Sequence, residues 1–506
     1  MKTNNFKAIL LTGVLALGMG ACKKSFDPAT TIDENDALTT AADIETATIG
    51  VYALVRHGNY TLSGHFLKEF PSDEVAQGQI SSNDYTNTYR YTHLTTGTHS
   101  RLFWTQAYLV VSAANKIIAA IPEDASAAQR QLKGENLFLR AMMHFDLVRV
   151  FGRPYTQNNG DNPGVPILKE DLTDEQKLTI SRSKVSEVYA FVIEDLLKAA
   201  DMMTLKKLVF ASSFASKQAA NALLARVYLY MGDNNKALEF ANKVINSGDY
   251  SLVQGGAYTN YFKAVADGNK ETIFAIHHTK LQDQVLASIG AFYYSGDASG
   301  TALAKGTNGW GEVMVSRKYW LALDSTSNDL RLGFIRPYRV NGVLQYNPAL
   351  SPQVPLYYHI KYSLQEGIIT LSSPVYLRIA EMYLIRAEAN AKLGSSQLAL
   401  DDVNLIRQRA GLTGAKLHTL ASIALAGKSA LDVVLEERWF ELAFEGHRAY
   451  DLFRNGRSMV RNYPGTHQLN VTPVNINQTV LATDNRVIFF IPETERAKNP
   501  NLTQNP

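Results

Sequence analysis

Two apolar stripes separated by a short polar break, within residues 217–252, constrain the fold of this chain more than any other feature. Small and apolar residues recur at three- and four-residue steps in the first stripe, which comprises Ala219, Ala222, Leu223, Val227 and Tyr230. The second stripe has the same spacing and comprises Ala237, Phe240, Ala241, Val244 and Ile245. Because this spacing places each set on one face of a helix, the segment predicts two antiparallel helices joined near residues 231–235.

One such pair of helices cannot bury its own apolar face, so further helices must pack against it. Tyr228 and Ala237 lie nine residues apart, as the corresponding residues do in a tetratricopeptide unit. Helical periodicity also marks residues 41–56, 105–121, 127–150, 185–203, 375–393, 397–410 and 430–453. We therefore predict a mostly α fold, built as a tetratricopeptide-like scaffold of helical hairpins.

Residues 255–374 differ in composition from the helical parts of the chain. Gly, Asn, Ser and aromatic residues dominate there, helical periodicity fades, and residues 273–276 predict a short strand. We expect a large loop-rich insertion carrying short strands, followed by closing helices. The expected regions are a leader (1–21), a tether (22–40), an N-terminal helical region (41–254) and a C-terminal region (255–506) that begins with the insertion.

The first 22 residues have the pattern of an export signal followed by a lipid attachment site. Lys2 and Lys7 precede an apolar run over residues 8–19. This run is too short to span a bilayer as a stable helix. Cys22 is the only cysteine in the sequence, so it cannot form a disulfide within the chain. We interpret residues 1–21 as a lipoprotein signal peptide and Cys22 as the lipidation site. The alternative is a cleavable signal followed by an incidental cysteine.

The charge balance argues against a nucleic-acid-binding protein. The formal net charge is +3 and no basic tract is present, so the chain lacks the electrostatic footprint for nucleic acid. Hydrophobic residues make up 46% and charged residues 19% of the chain, which is typical of a folded protein and excludes a disordered one.

A series of motifs follows in order along the chain. It begins with Gly-Glu-Asn-Leu-Phe-Leu-Arg-Ala at residues 134–141 and continues through residues 181–189, 217–252, 378–389 and 404–411. The most specific motif is Glu-Arg-Trp-Phe-Glu-Leu-Ala-Phe-Glu-Gly-His-Arg at residues 437–448, and the chain closes on Asn-Pro-Asn-Leu-Thr-Gln-Asn-Pro at residues 499–506. Together these motifs resemble the SusD/RagB family, the outer-membrane nutrient-binding lipoproteins of Bacteroidota.

The resemblance implies a tetratricopeptide-like scaffold with an irregular ligand-binding face. It also implies a partner, a SusC-like TonB-dependent β-barrel transporter, over whose mouth the lipoprotein sits. The usual ligands of the family are oligosaccharides, although some relatives resemble peptide-capturing proteins. The expected location is the outer membrane, with the protein held by its lipid anchor and facing the cell exterior.

A charged stripe near the C-terminus could suggest catalysis. If residues 430–453 form one helix, the stripe comprises Glu437, Glu441, Glu445 and Arg448. Paired carboxylates perform glycoside hydrolysis, but acids spaced four residues apart repel one another unless cations compensate them. Arg448 does so within the stripe, and Arg378 or Arg386 does so from a neighbouring helix. We therefore interpret the stripe as structural.

Searches for other catalytic and metal motifs give nothing. The sequence contains neither H-E-x-x-H nor G-x-S-x-G. His277 and His278 are neighbours on a predicted strand, so their side chains point to opposite faces and cannot share one metal ion. Residues 324–329 lack the glycine and the distal glutamate of a calcium-binding loop. We expect no catalytic residue, no cofactor and no metal site.

A sugar-binding surface needs flat apolar rings for the C–H faces and polar groups for the hydroxyls. Rings on the scaffold are used in packing, so we look for ligand contacts on loops and interpret Trp104, Trp320 and Trp439 as core residues. Trp310, in a glycine-rich segment, is the first candidate. The other candidates are Tyr293, Tyr294, Tyr85, Tyr89 and Tyr91, of which the last two share a face if their segment is extended, with Asp73 as a polar candidate.

The sequence thus predicts a non-catalytic, lipid-anchored protein that binds an oligosaccharide or polysaccharide and delivers it to a transporter. Three alternatives remain open at this point. The same architecture captures peptides, the chain is an anchored glycosidase, or it is a helical-repeat scaffold for protein partners only.

Overall fold

The computed structural model describes residues 38–78, 83–205, 211–297, 301, 303, 306–323, 328–347, 353, 355–465 and 475–506. The leader, Cys22 and almost all of the tether therefore lie outside the described residues. The limits of the regions expected from the sequence stay predictions.

The fold is mostly helical, as predicted, and its elements are numbered here in chain order. The N-terminal helices are α1 (Ala41–Arg56), α2 (Gly58–Glu69), α3 (Asn83–Arg90), α4 (Thr98–Ala120), α5 (Ala127–Phe151), α6 (Asp174–Thr179), α7 (Val185–Met202), α8 (Lys217–Met231) and α9 (Asn234–Ile245). The later helices are α10 (Gly255–Thr259), α11 (Ile289–Tyr293), α12 (Arg317–Ala322), α13 (Ile379–Lys392), α14 (Ser396–Arg409), α15 (Leu420–Leu425), α16 (Ala430–Glu441), α17 (Arg448–Arg454) and α18 (Glu493–Lys498).

The strands are short and pair in antiparallel twos. They are β1 (Val75–Gln77), β2 (Thr272–Ala275), β3 (Val313–Val315), β4 (Ile335–Pro337), β5 (Arg339–Val340), β6 (Val343–Leu344), β7 (Tyr357–His359), β8 (Val375–Arg378), β9 (Met459–Pro464) and β10 (Asn475–Val480). Among the described residues the pairs are β1 with β3, β2 with β8, β4 with β7, β5 with β6 and β9 with β10. The first two pairs join the insertion to the segments on either side of it.

The predicted helical hairpin is confirmed as α8 and α9. Gly232 between them adopts a left-handed conformation with a φ of 83°, which a residue with a side chain adopts only at a cost. The Asp233 side chain then caps α9 by accepting a hydrogen bond from the Lys236 backbone N–H at 3.0 Å. Tyr228 stacks on Phe240 across the hairpin, and the alanines that face the partner helix are fully buried.

The scaffold is a series of such antiparallel neighbours. Helix α5 packs between α4 and α7, and α13 packs against α9, α14 and α16. Gly134 marks the close approach of α5 to the end of α7, because a Cβ added there would lie 2.7 Å from the Met203 side chain. The predicted tetratricopeptide-like scaffold is therefore confirmed.

Three predicted helices differ from the structure. The helix predicted over residues 105–121 begins earlier, at Thr98. Residues 375–393 begin as strand β8, which pairs with β2, and become helical only at Ile379. Residues 430–453 do not form one helix, because α16 ends at Glu441 and α17 begins at Arg448. Phe444 and Gly446 have φ values of 64° and 75° within the break, which an α-helix does not accommodate.

The insertion shares a buried core with neighbouring helices. Rings from the insertion, from α2 and α3, and from α16 pack into one buried group, here called the aromatic cluster, whose aromatic members are Phe66, Phe70, Tyr85, Tyr89, Phe292, Tyr293, Tyr319, Tyr362, Trp439, Phe440 and Phe444. The expected loop-rich insertion with short strands is confirmed, and its aromatic residues also take part in a buried core.

The carboxylates of the predicted stripe are compensated by buried cations. Arg378 donates to Glu441 at 2.5 Å and to Glu271 at 3.1 Å, while Arg409 donates to Glu441 at 2.5 Å and to Glu271 at 3.0 Å. These four side chains are almost completely buried. Burial alone would raise the pKa of Glu441, but Arg409 and Arg378 outweigh burial and hold the pKa well below its usual range.

The same network continues in both directions from Glu441. Glu445 pairs with Arg378 and Lys361, and Glu437 pairs with Arg331 and Arg407. With Asp329, which pairs with Arg331, the described part of the network holds five acids and five cations: Glu271, Asp329, Glu437, Glu441, Glu445, Arg331, Lys361, Arg378, Arg407 and Arg409. The structural interpretation of the stripe is confirmed. We call this set the ionic network.

Two of the cations expected to compensate the stripe pair elsewhere. Arg448 does not pair within the stripe but donates to Asp73 at 2.7 Å and 3.1 Å, because the break after α16 turns its side chain toward the segment after α2. Arg386 pairs with Asp402 of α14 at 2.7 Å. Only Arg378 of the three has the predicted role.

A second, smaller group of buried acids joins the end of α2 to the break between α16 and α17. Glu69 accepts a hydrogen bond from the Gly446 N–H at 2.8 Å, and Glu74 accepts one from the Phe444 N–H at 2.6 Å. Burial raises the pKa of Glu69 to about 7. Burial and the adjacent charge of Glu69 raise the pKa of Glu74 well above its usual range, so the two carboxyls share a proton near neutral pH.

Replacing Glu441 by Gln should destabilise the fold strongly. The amide has the shape of the carboxylate but no charge, so buried Arg409 would keep only Glu271 as an acidic partner, and buried Arg378 would keep Glu271 and Glu445. Breaking a buried ion pair in this way costs about 3–5 kcal/mol. Urea unfolding of E441Q against wild type measures the loss. The matched control is Glu194→Gln, which breaks an exposed pair with Lys198 and should cost well under about 1 kcal/mol. Equal effects of the two changes would contradict the role assigned to the network.

The Glu69 and Glu74 pair should make stability fall as the pH rises from about 4.5 to about 7. A carboxyl whose pKa is raised by folding binds its proton more tightly in the folded state, so deprotonation favours unfolding over that window. Glu74→Gln removes one titrating group and its repulsion of Glu69. The variant should therefore gain about 1 kcal/mol or more relative to wild type between pH 5 and pH 8, since one pKa unit corresponds to about 1.36 kcal/mol. Urea unfolding at several pH values measures this gain, and a difference that does not change with pH would contradict it.

Candidate functional site

Two of the predicted ligand-contacting rings, Tyr293 and Tyr294, are fully buried. The Tyr293 hydroxyl lies 2.7 Å from Nε2 of His65, and its ring stacks with that of Tyr362 in the aromatic cluster. The Tyr294 ring packs edge to face against Tyr358, and its hydroxyl donates to the Asp297 carbonyl at 2.5 Å. The expectation that these rings are exposed on a loop is wrong, because the insertion uses them as its core.

The three N-terminal candidates Tyr85, Tyr89 and Tyr91 are buried as well. Tyr85 and Tyr89 lie on helix α3, and Tyr91 directly follows the helix with a φ of 58°. The segment is therefore not an extended strand, and the expected common face of Tyr89 and Tyr91 does not form. Tyr85 stacks on His99, and the Arg461 guanidinium lies 4.4 Å from the centre of the Tyr89 ring. The segment is polar in composition, but its tyrosine rings are buried by the aromatic cluster and by β9.

Asp73, the predicted polar contact, is a buried partner of two cations. Arg448 donates to its Oδ1 at 2.7 Å, and the Lys318 ammonium donates to its Oδ2 at 2.6 Å. Burial alone would raise the pKa of Asp73, but Arg448 and Lys318 outweigh it and hold the pKa well below the usual range. The carboxylate is therefore occupied and closed to a ligand in this structure. Its role is to tie α12 and α17 to the segment after α2.

Trp310 is the one predicted ring that is not fully buried. Its indole N–H donates to the Leu286 carbonyl at 2.8 Å. The ring is half-buried and packs on the edge of the aromatic cluster. Gly306 lies against the ring, since a Cβ added there would be 3.3 Å from Cζ3. The glycine-rich composition of the segment thus permits close packing as well as partial exposure.

Trp320 and Tyr357 form the most accessible pair of stacked rings in the insertion. Their centroids lie 3.9 Å apart and their planes are inclined by 23°, and both side chains are half-buried. Trp320 is on α12 and Tyr357 is on β7, and both pack with one side against the aromatic cluster. We call these two residues the ring pair.

The surroundings of the ring pair combine apolar surface with polar groups. Tyr346 is 38% exposed and pairs with Pro355 in an isolated antiparallel bridge. Pro355 lies two residues before Tyr357, so this bridge places Tyr346 near the ring pair. Leu321 beside Trp320 is 55% exposed. Arg317 precedes Trp320 by three residues on α12, so the two side chains lie on neighbouring positions of one helical face. A flat apolar face with hydroxyl and guanidinium groups beside it can hold a ring that carries both C–H faces and hydroxyls.

Sequence reasoning placed Trp320 in the core and did not single out Tyr357. The signal for Tyr357 was present, because alternate residues of a strand face opposite sides and its neighbours Tyr358 and Leu356 are apolar enough to be buried. Trp320 lies on a helix of six residues, too short to bury every side chain that it carries. Neither residue type nor spacing showed which faces the rest of the fold would cover.

Two features of the described residues bear on metal binding and on catalysis. Within them no group of three or more His, Cys, Asp or Glu side chains is arranged to hold a metal ion. The two carboxyls with raised pKa values, Glu69 and Glu74, are completely buried, and each accepts a hydrogen bond from a backbone N–H in the break after α16. Glycoside hydrolysis instead needs two carboxyls about 5 Å or more apart that flank the bond of a bound sugar. A search of the same residues for a helix long and apolar enough to cross a bilayer finds none.

Comparison with protein families gives two matches. A model described as the SusD family matches residues 354–506, and a model described as starch-binding, associating with the outer membrane, matches residues 26–229. The two matched segments include most of the scaffold, the specific motif at residues 437–448 and the end of the chain.

Individual relatives agree with this assignment. A SusD-like protein of Formosa agariphila is 30% identical over 375 residues, which cover 70% of this chain and 71% of the relative. A SusD superfamily protein from Bacteroides thetaiotaomicron has a TM-score of 0.77 at 26% identity, with 92% of this chain and 100% of that chain covered. A SusD-like carbohydrate-binding protein from Bacteroides vulgatus shares the fold, with a TM-score of 0.74, 21% identity, and 92% and 97% coverage. The chain therefore belongs to the SusD/RagB family, and one of the two models that match it describes starch-binding proteins that associate with the outer membrane.

Proposed function

We propose that this protein binds an oligosaccharide or polysaccharide through the ring pair, Trp320 and Tyr357, and delivers it to a TonB-dependent transporter without cleaving it. The observation that carries the proposal is a stacked aromatic pair left half-exposed at the edge of a rigid core. Sugar rings have apolar C–H faces that gain free energy by leaving water for a flat aromatic surface.

The family supports carbohydrate as the ligand class. One matching model is described as starch-binding, and the solved Bacteroides vulgatus relative is described as carbohydrate-binding. Trp310 lies on the edge of the same aromatic cluster as the ring pair. It is retained here as a second, weaker contact, because its indole N–H is already donated to Leu286 and only part of its ring is accessible.

The absence of cleavage is part of the proposal. Hydrolysis would need one carboxyl to donate a proton to the leaving oxygen while another acts from the opposite side of the sugar. Buried Asp73 is occupied by two cations, and the acids of the ionic network are compensated and buried. These groups hold the fold together and do not reach a bound sugar in this conformation.

The membrane anchor and the transporter complete the proposed arrangement. Cys22 would carry the lipid, and residues 23–40 would connect it to α1, so that the scaffold stays at the outer surface of the outer membrane. Several acyl chains are sufficient for stable attachment, since each buried CH₂ contributes about 0.8 kcal/mol. The transporter would take up the glycan that the ring pair captures.

Truncating the ring pair should weaken glycan binding. Trp320→Ala and Tyr357→Ala should each raise the Kd about tenfold or more, which corresponds to about 1.4 kcal/mol, and Trp310→Ala should have a smaller effect. A polysaccharide and peptide screen first identifies a ligand, and isothermal titration calorimetry then measures the Kd. The matched control is Tyr228→Ala, which also removes half of a stacked aromatic pair, but on scaffold helix α8.

Three outcomes would each contradict one part of the proposal. Unchanged glycan affinity in both ring-pair variants would show that the sugar binds elsewhere. Retention of peptides but of no glycan would replace carbohydrate by peptide as the ligand class. Release of reducing sugar by the wild-type protein would contradict the absence of cleavage.

Cys22→Ser should detach the protein from the membrane. Without the thiol no lipid can be attached, so the variant should move from the outer-membrane fraction to the soluble fraction, while the wild type should co-purify with a β-barrel transporter. Fractionation with immunoblotting and intact-mass measurement check these results. A wild-type protein with a free thiol and no barrel partner would contradict both the anchor and the partner.

A further inference from the structure

A cavity with a volume of about 200 Å³ lies between helix α1 and strand β2, on elements that do not carry the ring pair. Its lining residues are Ile49, Tyr52, Val55, Arg56, Ser213, Phe214, Phe274, Ala275, Ile276, His277, Thr279 and Gln282. A dry protein cavity of about 150 Å³ is large enough for one benzene molecule. The space between α1 and β2 therefore accommodates one aromatic ring with a small substituent.

The walls of the cavity are largely apolar. The rings of Tyr52 and Phe214 meet edge to face with centroids 5.2 Å apart, and the buried side chains of Val55 and Ile276 add aliphatic surface. Ile49 is 50% exposed, which places it at the mouth. An apolar body would gain free energy by entering this space from water.

Two polar groups in the lining have no partner among the described residues. The Arg56 guanidinium makes no ion pair and no hydrogen bond in that part of the chain, although burial lowers its pKa. The Ser213 hydroxyl oxygen is buried and has no hydrogen-bond partner there. A guanidinium stays protonated at all ordinary pH values, so a positive charge and a hydroxyl donor remain available in the cavity.

The other titratable groups beside Arg56 do not neutralise its charge. Burial lowers the pKa of both His277 and His278, so the two imidazoles are neutral at neutral pH. The Tyr52 hydroxyl is already used, since it donates to Glu135 and accepts from the Ala215 N–H. The cavity therefore has largely apolar walls, and among its lining residues Arg56 is the one that carries a charge at neutral pH.

We propose that this cavity binds a small amphipathic anion, an acid with one aromatic ring or a short branched apolar chain and a single carboxylate. The apolar body fills the space between Tyr52, Phe214 and Ile276. The carboxylate pairs with Arg56 and accepts a hydrogen bond from the Ser213 hydroxyl. This second ligand site does not depend on glycan binding by the ring pair.

The test uses the full chain and two probes of nearly equal shape. One is para-(trifluoromethyl)benzoate, and the other is its neutral counterpart para-(trifluoromethyl)benzyl alcohol, with binding followed by fluorine NMR. The benzoate should bind the wild type more tightly than the alcohol does. Arg56→Gln should weaken benzoate binding about tenfold and leave alcohol binding unchanged, because a charge-assisted hydrogen bond exceeds a neutral one by about this factor.

Three further variants locate the effect. Ser213→Ala should weaken benzoate binding by about threefold, in line with the loss of one neutral hydrogen bond. Ile49→Trp, which narrows the mouth, should weaken binding of both probes. Arg101→Gln, which removes an exposed arginine from helix α4, should change neither, and thermal unfolding confirms that every variant is folded.

The proposal is overturned if the wild type does not bind the benzoate at millimolar concentration. It is also overturned if Arg56→Gln and Arg101→Gln have the same effect, or if Ile49→Trp leaves both probes bound as before. Glycan binding measured on the same variants should be unchanged, so that failure here and failure of the ring-pair assignment are distinguishable.

Discussion

The ionic network around Glu441 is the interaction on which the rest of this structure depends. Burying charge is costly, and it is tolerated here because acids and cations balance and each carboxylate accepts several charge-assisted hydrogen bonds. Its members come from β8, α14, α16 and the insertion. The network therefore joins the insertion to the scaffold, and it includes Glu445 from the break after α16, which pairs with Arg378 and Lys361.

The aromatic cluster is a second contact between the insertion and the scaffold, and it reaches the protein surface. Its rings come from α2, α3, α16 and the insertion, so the two halves of the chain share one core. Trp310, Trp320 and Tyr357 lie on the outer edge of that core with one side packed and the other accessible. These three rings form the proposed glycan-binding surface, here called the glycan platform, which is the exposed edge of the aromatic cluster. Its position is set by packing, and its chemistry is set by the few side chains that the packing leaves uncovered.

Sequence reasoning was most successful where a pattern is local. The α8 and α9 hairpin and the span of α1 follow from helical spacing. The need for cations beside the glutamate stripe follows from charge, but of the three expected cations only Arg378 takes that role. Sequence reasoning was least successful where long-range packing decides. Tyr293 and Tyr294 occupy a segment with the composition of a loop, yet tertiary contacts bury them, and the partner of Arg448 is an aspartate 375 residues away in the sequence. Trp320 and Tyr357 came together only through the pairing of β4 with β7 and the placement of α12.

The two ion pairs of Asp73 affect how the glycan platform would bind a ligand. Through Lys318 it holds the short helix that carries Trp320, and through Arg448 it holds the start of α17, so the indole is presented on an immobilised support. A pre-organised surface loses little conformational entropy when a ligand arrives, and more of the interaction energy is then available as affinity. Substitutions confined to the outward faces of the two rings could accordingly change which sugar is selected without loosening the anchorage beneath them.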